Sequence, residues 1–255
     1  MAAQGAGACP AAVAGRRAVS AASGSILATS SLTMRFGGVV AVDNVDFSLA
    51  PGELRCLIGP NGAGKSTFFK CLTGQLRPSS GSILFDGEEI GGRHTHEIVA
   101  RGIGIKTQVP NLFEGLSAYE NVSLAASRRN RADRAAEIAG EMLELMQIPE
   151  IAGEAVGTLA HGQRQLVELA MVLAGRPRLV LLDEPAAGMA GEAAHHAGDN
   201  TLIVVEHDMD FIKDIASTVT VFHRGRIFIE GHVEEIMAHS EVQEIYLGKE
   251  TNAAA

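Results

Sequence analysis

Long apolar runs are missing from this chain of 255 residues. No stretch approaches the roughly 18 apolar residues that a bilayer-crossing helix requires, so any membrane association is expected to come through a partner. Positive charge is also scarce. Lys and Arg total 21 against 30 Asp and Glu, a formal net charge of −9. Nucleic-acid binding draws on a basic face that neutralises phosphates, and no nucleic-acid partner is expected. Cysteine is rare as well. Cys9, Cys56 and Cys71 form no even-numbered disulfide framework, and their spacing suits no zinc site. Reduced thiols in the cytosol are the simplest reading. Residues 1–23, MAAQGAGACPAAVAGRRAVSAAS, have few large apolar side chains. Arg16-Arg17 lead into small residues rather than the apolar stretch of an export signal. This segment is expected to be a disordered tail or the product of an upstream start codon.

What remains is sufficient for one sizeable core, or for one domain with a subdomain: 46% of the residues are apolar. SILATSSLTMRF (25–36) and VDNVDFSLA (42–50) alternate in part and read as antiparallel strands, with a turn at Pro51-Gly52. ELRCLI (53–58) is a short buried strand, followed by a Gly-rich loop and a helix from about Lys65 to Thr73 that Gly74 stops. SILFDG (82–87) is another strand. Residues 118–175 are mostly helical in character; in GQRQLVELAMVLAG, Leu166, Leu169, Ala170, Leu173 and Ala174 fall at helical spacing. LVLLDE (179–184), TLIVVE (201–206), VTVFH and RIFIE follow as strands. Strands alternating with helices imply a mostly parallel sheet covered on both faces. The helical block between its halves reads as an inserted subdomain.

GPNGAGKST, residues 59–67, fits the pattern G-x-x-x-x-G-K-[ST] between a strand and a helix. Its members are Gly59, Pro60, Asn61, Gly62, Ala63, Gly64, Lys65, Ser66 and Thr67. Glycines let backbone N–H groups turn inward as an anion nest, and the helix N-terminus directs its positive end at the same place. Lys65 is expected to hold β- and γ-phosphates, and Ser66 to ligate Mg2+. LVLLDE supplies the other half. Its carboxylates emerge at the strand end where α/β sheets bind ligands. Asp183 is expected to hold Mg2+, and Glu184 to orient and deprotonate an attacking water.

With GPNGAGKST, LAHGQRQ, LVLLDEPAAGM and VVEHD in this order, the chain resembles the ATP-binding subunit of an ABC transporter from about residue 25 to 250. FGGVVAVDNVDFSL, DEPAAGM, VVEHDMDFI and VQEIYLG bring it near the ATPases of branched-chain amino-acid and urea/amide importers. The resemblance implies an α/β fold: a P-loop NTPase (RecA-like) core with a mostly parallel sheet, an antiparallel β subdomain and an inserted helical subdomain. One ABC ATPase domain is expected over 24–255, its core in 24–108 and 177–255 and its helical subdomain at about 109–176. The resemblance further implies that Phe36 stacks on adenine, that Gln108 senses Mg2+, and that His207 contacts the γ-phosphate. Ala160, His161, Gly162 and Gln163, in LAHGQ, would cap the γ-phosphate bound to a second subunit, with Gly162 starting a helix. ATP and Mg2+ are the implied cofactors. A second ABC ATPase, identical or homologous, and transmembrane permease subunits are the implied partners, with a solute-binding protein beyond them. The implied location is peripheral, at the cytoplasmic face of the inner membrane.

Ala160 departs from the family's usual Ser and removes a hydroxyl donor, a loss expected to weaken ATP-driven closure. Ala190 stands where an acidic or polar residue is usual, and only 23 positions separate Glu184 from His207, so the intervening helix is expected to be cut short, with exposed apolar surface or local disorder. His195-His196 and HTHE (94–97) read as loop residues rather than metal ligands. Three alternatives remain open at this point. One is an ATPase for lipopolysaccharide-type export. Another is a soluble ABC protein of repair or translation, disfavoured by the lack of a second ATPase half or a long coiled-coil or basic insert. The last is a nucleotide-binding regulatory subunit that hydrolyses poorly.

Overall fold

The computed structural model describes residues 24–108, 111–185 and 201–247. The tail 1–23, the stretch from Ala186 to Asn200 with Ala190 and His195-His196, and the end of VQEIYLG lie outside them. Two sheets form the frame. The smaller joins β1 (Leu27–Phe36), β2 (Val39–Leu49), β4 (Ser80–Phe85) and β5 (Glu88–Glu89) in the order β2-β1-β4-β5, all antiparallel. The larger has the order β10-β9-β3-β8-β7-β6 and holds β3 (Leu54–Ile58), β6 (Ile103–Lys106), β7 (Leu179–Asp183), β8 (Thr201–Val205), β9 (Thr218–His223) and β10 (Arg226–His232). Its strands are parallel except β10, which returns antiparallel along β9. Strands enclosed on both faces have no need of alternation, and every residue of LVLLD and TLIVV is buried. The outer strand β10 alternates between exposed and half-buried positions instead.

Helix α1 (Lys65–Leu72) follows β3, and α2 (Thr95–Ala100) precedes β6. α3 (Ala118–Ser127), α4 (Ala132–Leu145) and α5 (His161–Ala174) pack on one another between β6 and β7 in the chain. Ser117 starts α3 with a capping box: its Oγ accepts from Glu120 N–H at 3.1 Å while Glu120 Oε2 accepts from Ser117 N–H at 2.8 Å. After β8 come α6 (Met209–Ile215), α7 (Val233–Ala238) and α8 (Ser240–Leu247).

The structure corrects the sequence reading in several places. HTHE is not a loop: His94 is the N-cap of α2, its N–H donating to Glu97 Oε2 at 2.9 Å, and Thr95, His96 and Glu97 form the first turn. IGIK, too short and too interrupted by glycine to show a period, is the edge strand β6. Helix α5 begins at His161 rather than Gly162, with Ala160 extended at the N-cap. Cys56 and Cys71 are buried free thiols. Burial pushes them up to about 12 and about 11, so they serve as small apolar side chains.

One aromatic side chain ties the two sheets to the helix between them. Phe68, in the first turn of α1 and fully buried, meets Phe47 of β2 edge-on at 5.6 Å and Phe222 of β9 at 5.2 Å. Because this packing fixes α1, it also aims the N-terminus of α1 at the preceding loop. Phe68→Ala is expected to lower unfolding free energy by about 3–5 kcal/mol, read from the urea midpoint, while Phe68→Leu costs markedly less.

Candidate functional site

The loop from Gly59 to Gly64 joins β3 to α1, and its shape demands glycine at defined places. Gly59, Gly62 and Gly64 have φ of 147°, 79° and 106°, values that side chains disfavour. A Cβ on Gly59 would lie 2.2 Å from Phe222 O, and one on Gly64 2.4 Å from Ala41 O. The loop is fastened from outside: Gly225 N–H donates to Ala63 O and Asp43 N–H to Gly225 O, each at 2.8 Å. Asn61 and Ser66 are exposed at this rim, Thr67 is half-buried, and Lys65 is buried. The Lys65 ammonium donates to the carbonyl oxygens of Gly59 and of Pro60 (3.2 Å for the latter). Burial lowers its pKa, and the Glu184 and Asp183 carboxylates oppose that fall.

Those two carboxylates stand at the end of β7. Burial raises the pKa of Asp183, and the neighbouring Glu184 pushes it further; Lys70, Lys106 and Lys65 pull the other way. A cation at this spot would relieve the repulsion between the two acids. Glu184 has φ of 47°, a left-handed conformation that costs a non-glycine residue about 1–3 kcal/mol. Its N–H donates to Val205 O at 3.0 Å, which holds the bend. Two of the residues predicted from sequence meet it there. Gln108 Nε2 donates to Glu184 Oε2 at 2.8 Å, and His207 Nδ1 lies 3.9 Å from Glu184 Oε1. Buried Glu206, which the sequence reading passed over, shapes this loop: its Oε2 accepts from His207 N–H at 2.8 Å and sits 3.6 Å from His207 Nδ1.

The remaining predicted residues are placed apart from this cluster. Phe36 is 46% exposed at the tip of the β1–β2 hairpin, a bare aromatic face at a strand end. Ala160, His161 and Gly162 are exposed at the start of α5, and Gln163 is half-buried. Ala160 cannot cap with its side chain, but Gln163 Oε1 accepts from Ala160 N–H at 3.1 Å. The first-turn amides of α5 have no intrahelical acceptor. A groove of about 830 Å3 opens among α2, β6, α3 and α5, lined in part by Val99, Thr107, Asn111, Arg128, Glu168 and Met171.

The family profile described as ABC transporter matches residues 42–187, more than half of the chain. The chain belongs to the ABC transporter ATP-binding family. The high-affinity branched-chain amino acid transport ATP-binding protein BraF of Pseudomonas aeruginosa is 36% identical over 250 residues, covering 88% of this chain and 98% of BraF. LivG of Escherichia coli K12, which carries the same description, is 32% identical over 252 residues, with 88% and 98% covered. The ADP conformation of an ATP-binding cassette of an ABC transporter superposes with a TM-score of 0.77 at 26% identity, covering 88% of this chain and 99% of that one. cbiO1 from Clostridium perfringens, part of the transporter complex cbiONQ, gives 0.76 at 29% identity, with 90% and 98% covered. ABC cassettes bind ATP and are ATPases coupled to transport, and this chain is one of them.

Within the cassette, the P-loop, the acid pair of β7 and the loop after β8 converge. Sequence reasoning missed Glu206, Lys106 and Glu168, which are buried charged residues. Their only signal is an ionisable residue inside an apolar run, such as Glu168 between Val167 and Leu169. Gly64→Ala is expected to lower ATP affinity at least tenfold, since backbone must move to admit the Cβ. Gly38→Ala, where nothing lies within 4 Å, is expected to bind ATP normally. Fluorescent-nucleotide titration checks both.

Proposed function

We propose that this cassette hydrolyses ATP at Glu184 as one half of a closing pair, and so powers uptake of a small polar solute through a membrane permease. The observation that carries the reading is the position of Glu184: bent into a left-handed turn, hydrogen-bonded by Gln108 and flanked by His207. An orienting amide and an imidazole around a carboxylate beside a P-loop suit attack of water on a γ-phosphate. In this scheme Glu184 takes the water's proton. Lys65 leaves the carbonyls of Gly59 and Pro60 for the β- and γ-phosphates, where its charge stabilises the transition state. His207 positions the γ-phosphate, and exposed Phe36 stacks on adenine. Ser66, Asp183 and Gln108 offer hard oxygen donors for Mg2+, and the crowding of Asp183 by Glu184 fits a cation there. Bound Mg2+ supplies neutralisation of phosphate charge.

The LAHGQ end of α5, with its free amides, reads as the cap on the γ-phosphate of a second ATPase subunit. The groove among α2, β6, α3 and α5 reads as the seat of the permease, because it borders the segment that follows Gln108. Among the described residues no helix is long and apolar enough to cross a membrane. Peripheral attachment at the cytoplasmic face through that permease, with a separate solute-binding protein delivering cargo, completes the proposal. BraF and LivG are described as branched-chain amino acid transport proteins, which favours such amino acids as the cargo; urea or amides are the alternative that the sequence resemblance carries.

Glu184→Gln keeps the shape of the side chain and removes the base. Its ATP turnover is expected to fall by roughly a hundredfold or more, while light scattering shows a stable ATP-bound dimer. Turnover at the wild-type rate would overturn the assignment of Glu184.

A further inference from the structure

Two charged side chains outside the nucleotide cluster are almost wholly enclosed. Lys106, the last residue of β6, and Glu168, midway along α5, are 1% and 5% exposed, with Nζ 3.3 Å from Oε2. Glu168 Oε1 accepts the Asn111 N–H at 3.0 Å. One carboxylate therefore grips both flanks of the segment that contains Gln108. The same Lys106 ammonium also acts on Asp183, adding to Lys70 in opposing the upward push on that acid. Across the β6–β7 ladder Lys106 pairs with Leu182, so its side chain shares the face that Leu182 turns to α5. Burial pushes the Glu168 carboxyl up, and Lys106 and the Asn111 N–H pull it back.

A buried ion pair adds little to stability, because desolvating two ions offsets their attraction, and a packed apolar pair does as well. It does supply a fixed distance and direction. Glu168 lies seven residues beyond His161 on the same helix, which is two turns or roughly 10 Å along a stiff axis. We infer that Lys106 and Glu168 are positioning residues for hydrolysis: the pair sets Gln108 against Glu184 at one end and orients the exposed LAHGQ end of α5 at the other. This rests on the reading of Glu184 as the base. Glu168 also lines the floor of the groove, so an occupant of that groove presses on the same carboxylate.

The test compares ATP turnover and melting temperature of the full chain, in the subunit pairing that hydrolyses ATP, for Lys106→Met, Glu168→Gln, the double variant Lys106→Met/Glu168→Leu, and Glu184→Gln. Each single variant is expected to lower kcat about tenfold with KM for ATP within about twofold, since the P-loop is untouched. The double variant leaves no unpaired buried charge, so its melting temperature returns to the wild-type value while kcat stays low. A structural role alone would restore both together. The inference is overturned if the double variant has wild-type kcat, or if the folded single variants keep kcat within about twofold. Should the single variants fail to fold, the double variant decides. Glu184→Gln separates the two readings: wild-type turnover there removes the base assignment, whereas an inactive Glu184→Gln beside a fully active double variant removes only the role of the pair.

Discussion

The level ending of three parallel strands is the constraint on which this cassette depends. Val205 of β8 pairs with Leu57 of β3 on one side and Asp183 of β7 on the other. The chain therefore leaves the sheet along one line, at Gly59, Glu184 and Glu206. Each exit carries part of the proposed chemistry: the P-loop, the acid pair and the loop with His207. Sheet hydrogen bonds are short-range and directional, so a slip of one residue in β7 would turn Asp183 and Glu184 to opposite faces and separate them from Lys65. The boundary at the end of LVLL opposes that slip, because moving inward buries a carboxylate among apolar strands and moving outward exposes a leucine.

Within that frame the site is built from mutually unfavourable parts. Asp183 crowds Glu184, Lys65 is held from water against backbone carbonyls, and Glu184 sits in a strained bend. Phosphate would give Lys65 a charged partner, and a divalent cation would relieve the crowding of the two acids. Without them, the surroundings must hold the parts in place: Phe68 between its two aromatic neighbours, Gly225 on Ala63, and Val205 on the Glu184 amide. The scaffold is rigid where the site is strained, as pre-organisation requires.

Much of this was legible in the residues. The P-loop, the LVLLDE strand and VVEHD are contiguous stretches whose chemistry depends on local geometry, and each lies where a strand meets a loop. The two antiparallel strands before the P-loop and the buried parallel strands also follow from local pattern. Long-range pairings and side-chain caps without a Ser, Thr, Asp or Asn did not show. Strand β6 is four residues with a glycine inside, and only its ladder with β7 makes it a strand. HTHE reads as loop until Glu97 is seen to cap His94. Helix α5 starts at His161 with the N3 half of a capping box, Gln163 Oε1 accepting from the Ala160 N–H, a bond no propensity predicts. The Lys106–Glu168 pair joins residues 62 positions apart, a separation over which spacing carries no information.

On the proposed reading, a cassette with one P-loop and one LAHGQ stretch borrows half of each working site. Mixing two inactive variants tests this most directly. Lys65→Ala disables the P-loop and leaves LAHGQ intact. Gly162→Asp places a carboxylate where the γ-phosphate would dock, at a position with open space around it and with no fold cost expected. Each alone is predicted to be inactive. Their mixture is predicted to regain ATP hydrolysis, because a mixed dimer contains one intact P-loop facing one intact LAHGQ. Where the wild-type chain hydrolyses ATP on its own, a mixture as inactive as its components, or a Gly162→Asp protein that hydrolyses ATP unaided, would contradict the account.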